Sequence, residues 1–213
     1  MPGKHVRFAA SPTYYPSSTP TYMPSKKHHY FPQYTAPYSH KPYPTSTSTY
    51  SSRTPRIHSL LAYSFHPTLY FDVRLPLSVA ITFSSPRLST RSLSESATDP
   101  PVSSMTLYIP HITWSIIVAP SNGLFITVAD VVNAIYYTLR IPVMKEEYRA
   151  IRSRSNLRRV NTAYERRHER IRDDYAAYQE RQGGVRRVDF LVGHTQFLGV
   201  STTGRNFILN LSY

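Results

Sequence analysis

The chain has 213 residues, no cysteine, and 25 Lys or Arg against 12 Asp or Glu, for a formal net charge of +13. Without cysteine there can be no disulfide scaffold, Cys-ligated zinc, iron–sulfur cluster or thiol catalysis. The charge suits polyanionic partners and disfavours none of the soluble fold classes.

The surplus charge is unevenly placed. Residues 1–71 hold seven basic residues and no acid, 72–139 three against four, 140–187 fourteen against seven, and 188–213 one against one. Two separate basic regions result. The first coincides with a segment that holds, within residues 1–55, ten of the 18 prolines, eight of the 18 tyrosines and 17 Ser or Thr. Such a composition cannot bury enough apolar surface to offset the entropy of ordering. Residues 1–56 are therefore expected to be a disordered basic tail, and 57–213 a single α+β domain. Tyr precedes Pro in Tyr14-Tyr15-Pro16, Tyr22-Met23-Pro24, Tyr30-Phe31-Pro32 and Tyr43-Pro44, spacing that favours extended polyproline segments. The tail reads as a spacer, with a ligand for aromatic-lined grooves as its functional alternative.

No apolar run approaches the 18 or so residues of a membrane span; the longest, Trp114 to Ala119, is interrupted by Ser115. The first residues lack the apolar stretch of a secretory signal, which makes the Asn210-Leu211-Ser212 sequon coincidental. Prolines at 12, 16, 20 and 24 prevent the amphipathic helix of a mitochondrial presequence. Cytosol or nucleus is the expected compartment.

Apolar patterning begins near Ile57. Strands are expected over 68–73 and 78–83, followed by a mobile Ser-rich loop over 84–104. The β-prone runs 105–109 and 114–118 form a hairpin or two successive edges. Thr127 and Asp130 make a variant capping box at the start of VADVVNAIYYTLR, with Val128, Val131, Val132, Ile135 and Leu139 on one face. A short helical piece follows at 145–151. A long helix is expected over 156–182, capped by Ser155 and stopped by Gly183-Gly184, its stripe being Leu157, Val160, Tyr164, His168, Ile171, Tyr175 and Tyr178. Strands over 188–192, 195–200 and 206–211 complete a meander. The fold class is thus α+β: a small antiparallel β-sheet packed against two main helices.

These pieces in order resemble an uncharacterised domain-of-unknown-function family of mushroom-forming (basidiomycete) fungi. The resemblance runs over about residues 66–211 and rests on HPTLYFDVRLP at 66–76, LSESATDPP at 93–101, MTLYIPHITWSIIV at 105–118, ITVADVVNAIYYTLRIPV at 126–143, EEY at 146–148, AYERR at 163–167 and GVRRVDFLVGHTQFLGV at 184–200. Phe207 stands where the family usually has Trp, and Ser96 where Pro is common. The resemblance implies a β-rich α+β frame with a helical insertion, and no reaction.

Catalytic patterns are missing: the chain has no G-x-S-x-G, G-x-x-x-x-G-K, G-x-G-x-x-G or H-E-x-x-H, so no cofactor is expected and motif-bearing enzymes are disfavoured. Motifless catalysis would have to combine Asp72, Asp130 or Asp189 with His66, His111 or His194. Plainer roles are available: Asp130 caps a helix, Asp189 pairs with Arg186 or Arg187, and His168 packs in the apolar stripe. His28-His29 fall in the tail and make no spaced metal cluster.

The arginine-rich helix carries the remaining signal. Arg166 with Glu169, and Arg170 with Asp173 or Asp174, are spaced to neutralise one another. Arg152, Arg154, Arg158 and Arg159 instead crowd the helix N-terminus, where the dipole disfavours cations by about 0.3–1 kcal/mol each. The candidate partner-binding residues are therefore Arg152, Arg154, Arg158, Arg159, Arg166, Arg167, Arg186 and Arg187. An acidic protein surface is the expected partner, RNA or DNA the alternative, and an enzyme without recognisable motifs the third reading; a solvated charged face competes with all three. Ser11-Pro12, Thr19-Pro20, Thr54-Pro55 and Ser85-Pro86 are candidate phosphorylation sites that would add negative charge to positive segments.

Overall fold

Alternating apolar side chains in Met105–Tyr108 (β5) and Ser115–Val118 (β6) let the two segments pair antiparallel, Met105 opposite Val118 and Tyr108 opposite Ser115. In this computed structural model, residues 7–8, 55–75, 81–83, 90–204 and 206–213 are described, the side chains of 81–83 and 90 excepted. Most of the expected tail, its Tyr-Pro repeats and its candidate phosphorylation sites lie outside those residues. The fold is α+β as expected.

Four short strands come first in the chain, Arg56–Ile57 (β1), Leu69–Phe71 (β2), Ile81–Phe83 (β3) and Thr98–Asp99 (β4), paired antiparallel as β1 with β4 and β2 with β3. The main sheet has the order β6-β5-β8-β7, where Gln196–Thr203 (β7) and Asn206–Ser212 (β8) form a hairpin through the expected turn at Thr203-Gly204. β5 and β8 pair in parallel, Leu107 beside Phe207, so this sheet is mixed.

One face of the sheet is covered by Val128–Leu139 (α1). Its capping box is complete: Asp130 N–H donates to Thr127 Oγ1 at 3.1 Å and Thr127 N–H to Asp130 Oδ2 at 2.8 Å. Val128, Val131, Val132, Ile135 and Leu139 are buried with Leu107, Ile116 and Leu209 in the larger core. Thr127→Ala is expected to lower stability by about 1 kcal/mol and the midpoint of thermal unfolding by about 2–4 °C; an unchanged midpoint would contradict the cap's contribution.

The rest of the helical material is an insertion between α1 and β7, and here the structure differs from the sequence reading. Lys145–Arg149 (α2) is followed by two helices, Arg154–Glu169 (α3) and Asp174–Gln182 (α4), in place of one over 156–182. Ser153, not Ser155, caps α3, accepting from Asn156 N–H at 3.3 Å. The break arises because Asp173 accepts from Ala176 N–H at 2.6 Å and starts a new helix without any Gly or Pro. Tyr175 and Tyr178, expected in the buried stripe, are consequently 72% and 56% exposed.

The expected strand at 188–192 is a 3-10 helix, Arg187–Leu191, whose entry is held by Arg186 N–H donating to Asp189 Oδ2 at 2.9 Å. The meander therefore has two strands. In the Ser-rich segment read as a mobile loop, residues 84–89 lie outside the described residues. Within 90–104 there are a 3-10 turn, Thr90–Ser94, and β4, with Leu93, Ala97 and Thr98 buried. Isolated apolar residues among serines make no period, so this part of the core has no pattern to read. Arg7 and Phe8, within the expected tail, lie against the insertion: Val185 N–H donates to the Arg7 carbonyl at 3.1 Å, and the Phe8 and Tyr148 rings meet edge-on at 5.1 Å. Among the described residues no helix is long and apolar enough to cross a membrane.

Candidate functional site

α3 buries Val160, Tyr164 and Arg167 on one side. On the flank beside that side, Arg159, Arg166 and Arg170 are separated by seven and four residues. Seven and eleven residues are close to two and three turns of about 3.6, so the three residues, the last of them the C-cap, fall in one line along about 16 Å. All three are exposed. Among the described residues none has a carboxylate partner; Arg159 Nη2 donates to Tyr213 Oη at 3.4 Å. The expected pairs of Arg166 with Glu169 and of Arg170 with Asp173 or Asp174 are not formed. Asp173 caps α4 and Asp174 opens it, beyond the break that separates them from Arg170.

This line forms one wall of a groove of about 400 Å³ whose lining also includes Arg74, Arg158, Gly193, Thr195 and Tyr213. Arg74 is held in a fork by Asp72, Nε to Oδ1 at 2.9 Å and Nε to Oδ2 at 3.1 Å. The opposite wall is bent sharply. Val192 has φ 53° and Gly193 φ 98°, and a Cβ on Gly193 would lie 3.4 Å from the Tyr213 ring. A β-branched residue in the left-handed region stores about 1–3 kcal/mol of strain. The kink leaves Gly193 N–H without an acceptor among the described residues, and the Tyr213 and His194 rings meet at a 44° tilt with centroids 3.8 Å apart. Among the described residues six arginines and one acidic side chain, Asp189, line the groove.

Asp189 is already neutralised from beneath. Buried Arg167 donates to it through Nε at 2.8 Å and Nη2 at 3.0 Å, to the Gly184 carbonyl at 2.8 Å, and to Glu180 through Nη1. Glu180 also receives Arg140 at 2.9 Å and Arg186 at 2.9 Å. Burial opposes ionisation of Glu180, but Arg186, Arg140 and Arg167 outweigh it and hold the carboxyl below its ordinary range. For Arg167, burial is likewise outweighed by the hydrogen bonds and charge of Asp189 with Glu180, which raise its pKa.

The eight arginines singled out from sequence thus separate. Arg158, Arg159 and Arg166 line the groove. Arg152 and Arg154 are exposed at the start of α3, whose first turn has no acid. Arg167 and Arg186 belong to the buried network, Arg167 also lining the groove; Asp189, expected to pair with Arg186 or Arg187, pairs with Arg167 and accepts from the Arg186 backbone N–H. Arg187 lies 5.1 Å above the Trp114 ring; burial pushes its pKa down, opposed by Glu147. Arg74, Gly193 and Tyr213 were not found by sequence reasoning, because they reach the groove from segments remote from α3. Arg170 could have been, from its spacing to Arg159 and Arg166.

The aspartates considered for motifless chemistry have structural partners: Asp72 with Arg74, Asp130 in the capping box, Asp189 with Arg167. His111 and His194 line a second, larger groove, and His168 Nδ1 lies 3.0 Å from the Tyr164 carbonyl, as a packed histidine. A pair missed in the sequence, His58 and Glu95, meets at 3.0 Å and ties β1 to the Thr90–Ser94 turn, with His58 Nδ1 accepting from Leu60 N–H. Among the described residues no three of His, Asp and Glu are grouped to hold a metal ion.

Fold and groove together define a mixed α+β domain with a helical insertion bearing a cationic cleft. The chain belongs to a family of unknown function, DUF6699, whose model matches residues 69–206. No curated protein and no solved structure matches it.

Proposed function

We propose that this chain is a non-enzymatic interaction domain that docks an acidic protein segment in the arginine groove. One observation carries the reading: among the described residues, Arg159, Arg166 and Arg170 are aligned, exposed and without a carboxylate partner, over a groove whose one acidic side chain, Asp189, is already paired. Like charges one turn apart destabilise a helix by about 0.2–0.5 kcal/mol per pair, a penalty that carboxylates of a partner would relieve through forked hydrogen bonds. Arg152 and Arg154 extend the positive field past the groove and would speed encounter with an acidic surface. RNA or DNA ranks second, because among the described residues Tyr213 is the one aromatic ring lining the groove, and His194 packs against it at a 44° tilt, a poor platform for stacking successive bases. The same reading takes the chain for one of a mushroom-forming fungus, on the seven-segment resemblance, and has it act in cytosol or nucleus.

Fluorescence anisotropy of the intact chain with a labelled acidic peptide, a single-stranded RNA and a duplex DNA tests this. The peptide should bind with a salt-dependent affinity, and R159Q/R166Q/R170Q should weaken it. Three contacts of about 0.2–1 kcal/mol each amount to a loss of about 3–150-fold. Nucleic-acid binding that survives physiological salt and exceeds the peptide's would replace this reading with the second. An equal loss in R149Q/R172Q, two exposed arginines outside the groove, would show that only net charge matters.

A further inference from the structure

A second hollow adjoins the arginine groove and differs from it in chemistry. It measures about 1060 Å³ and is lined by Ile109, Trp114, Phe190, Leu191, Leu198 and Leu211 among others. Protein interiors leave few voids larger than a water molecule, and apolar clefts of several hundred Å³ are the usual seats of ligands.

Its aromatic wall is held rigid. Trp114 Nε1 donates to Glu147 Oε1 at 2.7 Å, the Arg187 guanidinium lies over the ring at 5.1 Å, and Phe190 meets it edge-on at 4.9 Å. Glu147, the one acidic side chain in the lining among the described residues, also accepts from Met144 N–H at 2.8 Å. Around it stand Arg152, Arg159, His111 and His194, so the polar part of the lining favours an anionic neighbour. Two residues, Arg159 and Val192, line both grooves. Val192 is the residue held at φ 53°, which places the strained backbone at the junction.

We infer that the two grooves form one bipartite site for a linear acidic peptide carrying a bulky apolar residue. The arginine groove takes the carboxylates, and the Trp114 hollow takes the apolar side chain next to them, with Arg159 between the two. The inference rests on the reading of the arginine groove as an acid-binding site. It adds that charge alone does not select the partner. Burial of the apolar residue against a preformed aromatic wall supplies specificity that exposed ion pairs do not.

Trp114 is the single tryptophan of the chain, so its emission reads the hollow directly. The full chain is titrated with two capped peptides, DDEFDE and DDEADE, following Trp114 emission and, separately, anisotropy of labelled copies. The phenylalanine peptide should bind about 10- to 100-fold more tightly than the alanine peptide and move Trp114 emission to shorter wavelength; the alanine peptide should bind without that shift. Asn156→Phe, at an exposed position in the lining of the hollow, should bring the two affinities together. Equal affinities with unmoved emission would overturn the bipartite site and leave the arginine groove standing. Failure of both peptides to bind would overturn both readings. Decanoate binding the hollow more tightly than DDEFDE would overturn the peptide in favour of a free amphiphile.

Discussion

Replacing Arg167 by alanine should destabilise the domain by about 3–5 kcal/mol, lowering the thermal midpoint by about 6–20 °C. The guanidinium is buried and holds Asp189 in a fork, the Gly184 carbonyl, and Glu180. Its removal leaves Asp189, 2% exposed, as an uncompensated buried charge. The double variant R167L/D189L should recover most of the loss, because removing both members of a buried pair is far milder than removing one. A double variant as unstable as R167A would contradict the ionic origin of the effect. The network also sets an acid limit. Glu180 has a folded pKa below its ordinary value of 4.5, so the stability it contributes is present above that value and lost as pH falls through the lowered one. Thermal midpoints of the native chain should therefore decline below pH 4.5, and less steeply in Glu180→Gln; identical acid profiles would contradict the assignment.

Gly199→Ala should be comparably damaging, for a steric reason. Gly199 sits at the bulge of β7 with φ 112°, and an added Cβ would meet Ala62 O at 2.6 Å, Ala62 C at 2.7 Å and Tyr63 Cα at 2.7 Å. These are backbone atoms of the segment that pairs with β7, through Val200 N–H to Leu61 O at 2.6 Å and Tyr63 N–H to Val200 O at 3.1 Å; they cannot move aside as a side-chain tip would. Conformational strain of about 1–3 kcal/mol and overpacking of about 1–3 kcal/mol together give about 2–6 kcal/mol. Gly204→Ala is the control, since Gly204 has φ 61° and open space where the Cβ would go, leaving the strain alone. Equal urea midpoints for the two variants would show that the close approach at Ala62 carries no weight.

What could be read in the residues followed from how local the determining interactions are. The Thr127 and Asp130 box and the apolar face of α1 were legible because their partners lie within one or two turns. The long helix was misread at Asp173, where a single side chain competes for the backbone without the Gly or Pro that usually marks a break. Residues 188–192 carry a strand-prone apolar run, yet Asp189 is bound to Arg167, 22 residues away, and to Arg186 N–H; tertiary pairing overrides the local preference. The arginines were misassigned for the same reason. Spacing rules found nearby acids for Arg166 and Arg170, whereas Glu180, which gathers Arg140, Arg167 and Arg186, draws partners from three separate segments. The line of Arg159, Arg166 and Arg170 was visible in the spacing; the groove it faces depends on Arg74, Gly193 and Tyr213, which only the fold brings near.

The arginines divide: Arg167 and Arg186 are paired in the buried network, whereas Arg159, Arg166 and Arg170 are exposed and have no carboxylate among the described residues, where the proposed partner would bind. Side-chain Nε–H resonances of the intact, nitrogen-15-labelled chain, followed while unlabelled DDEADE is added, test that division most directly. Saturable shifts are expected at Arg159, Arg166 and Arg170, with Arg167 unmoved in its network. Small unsaturable shifts spread evenly over these three and the exposed Arg149 and Arg172 would contradict it, and would reduce the groove to a solvated charged face.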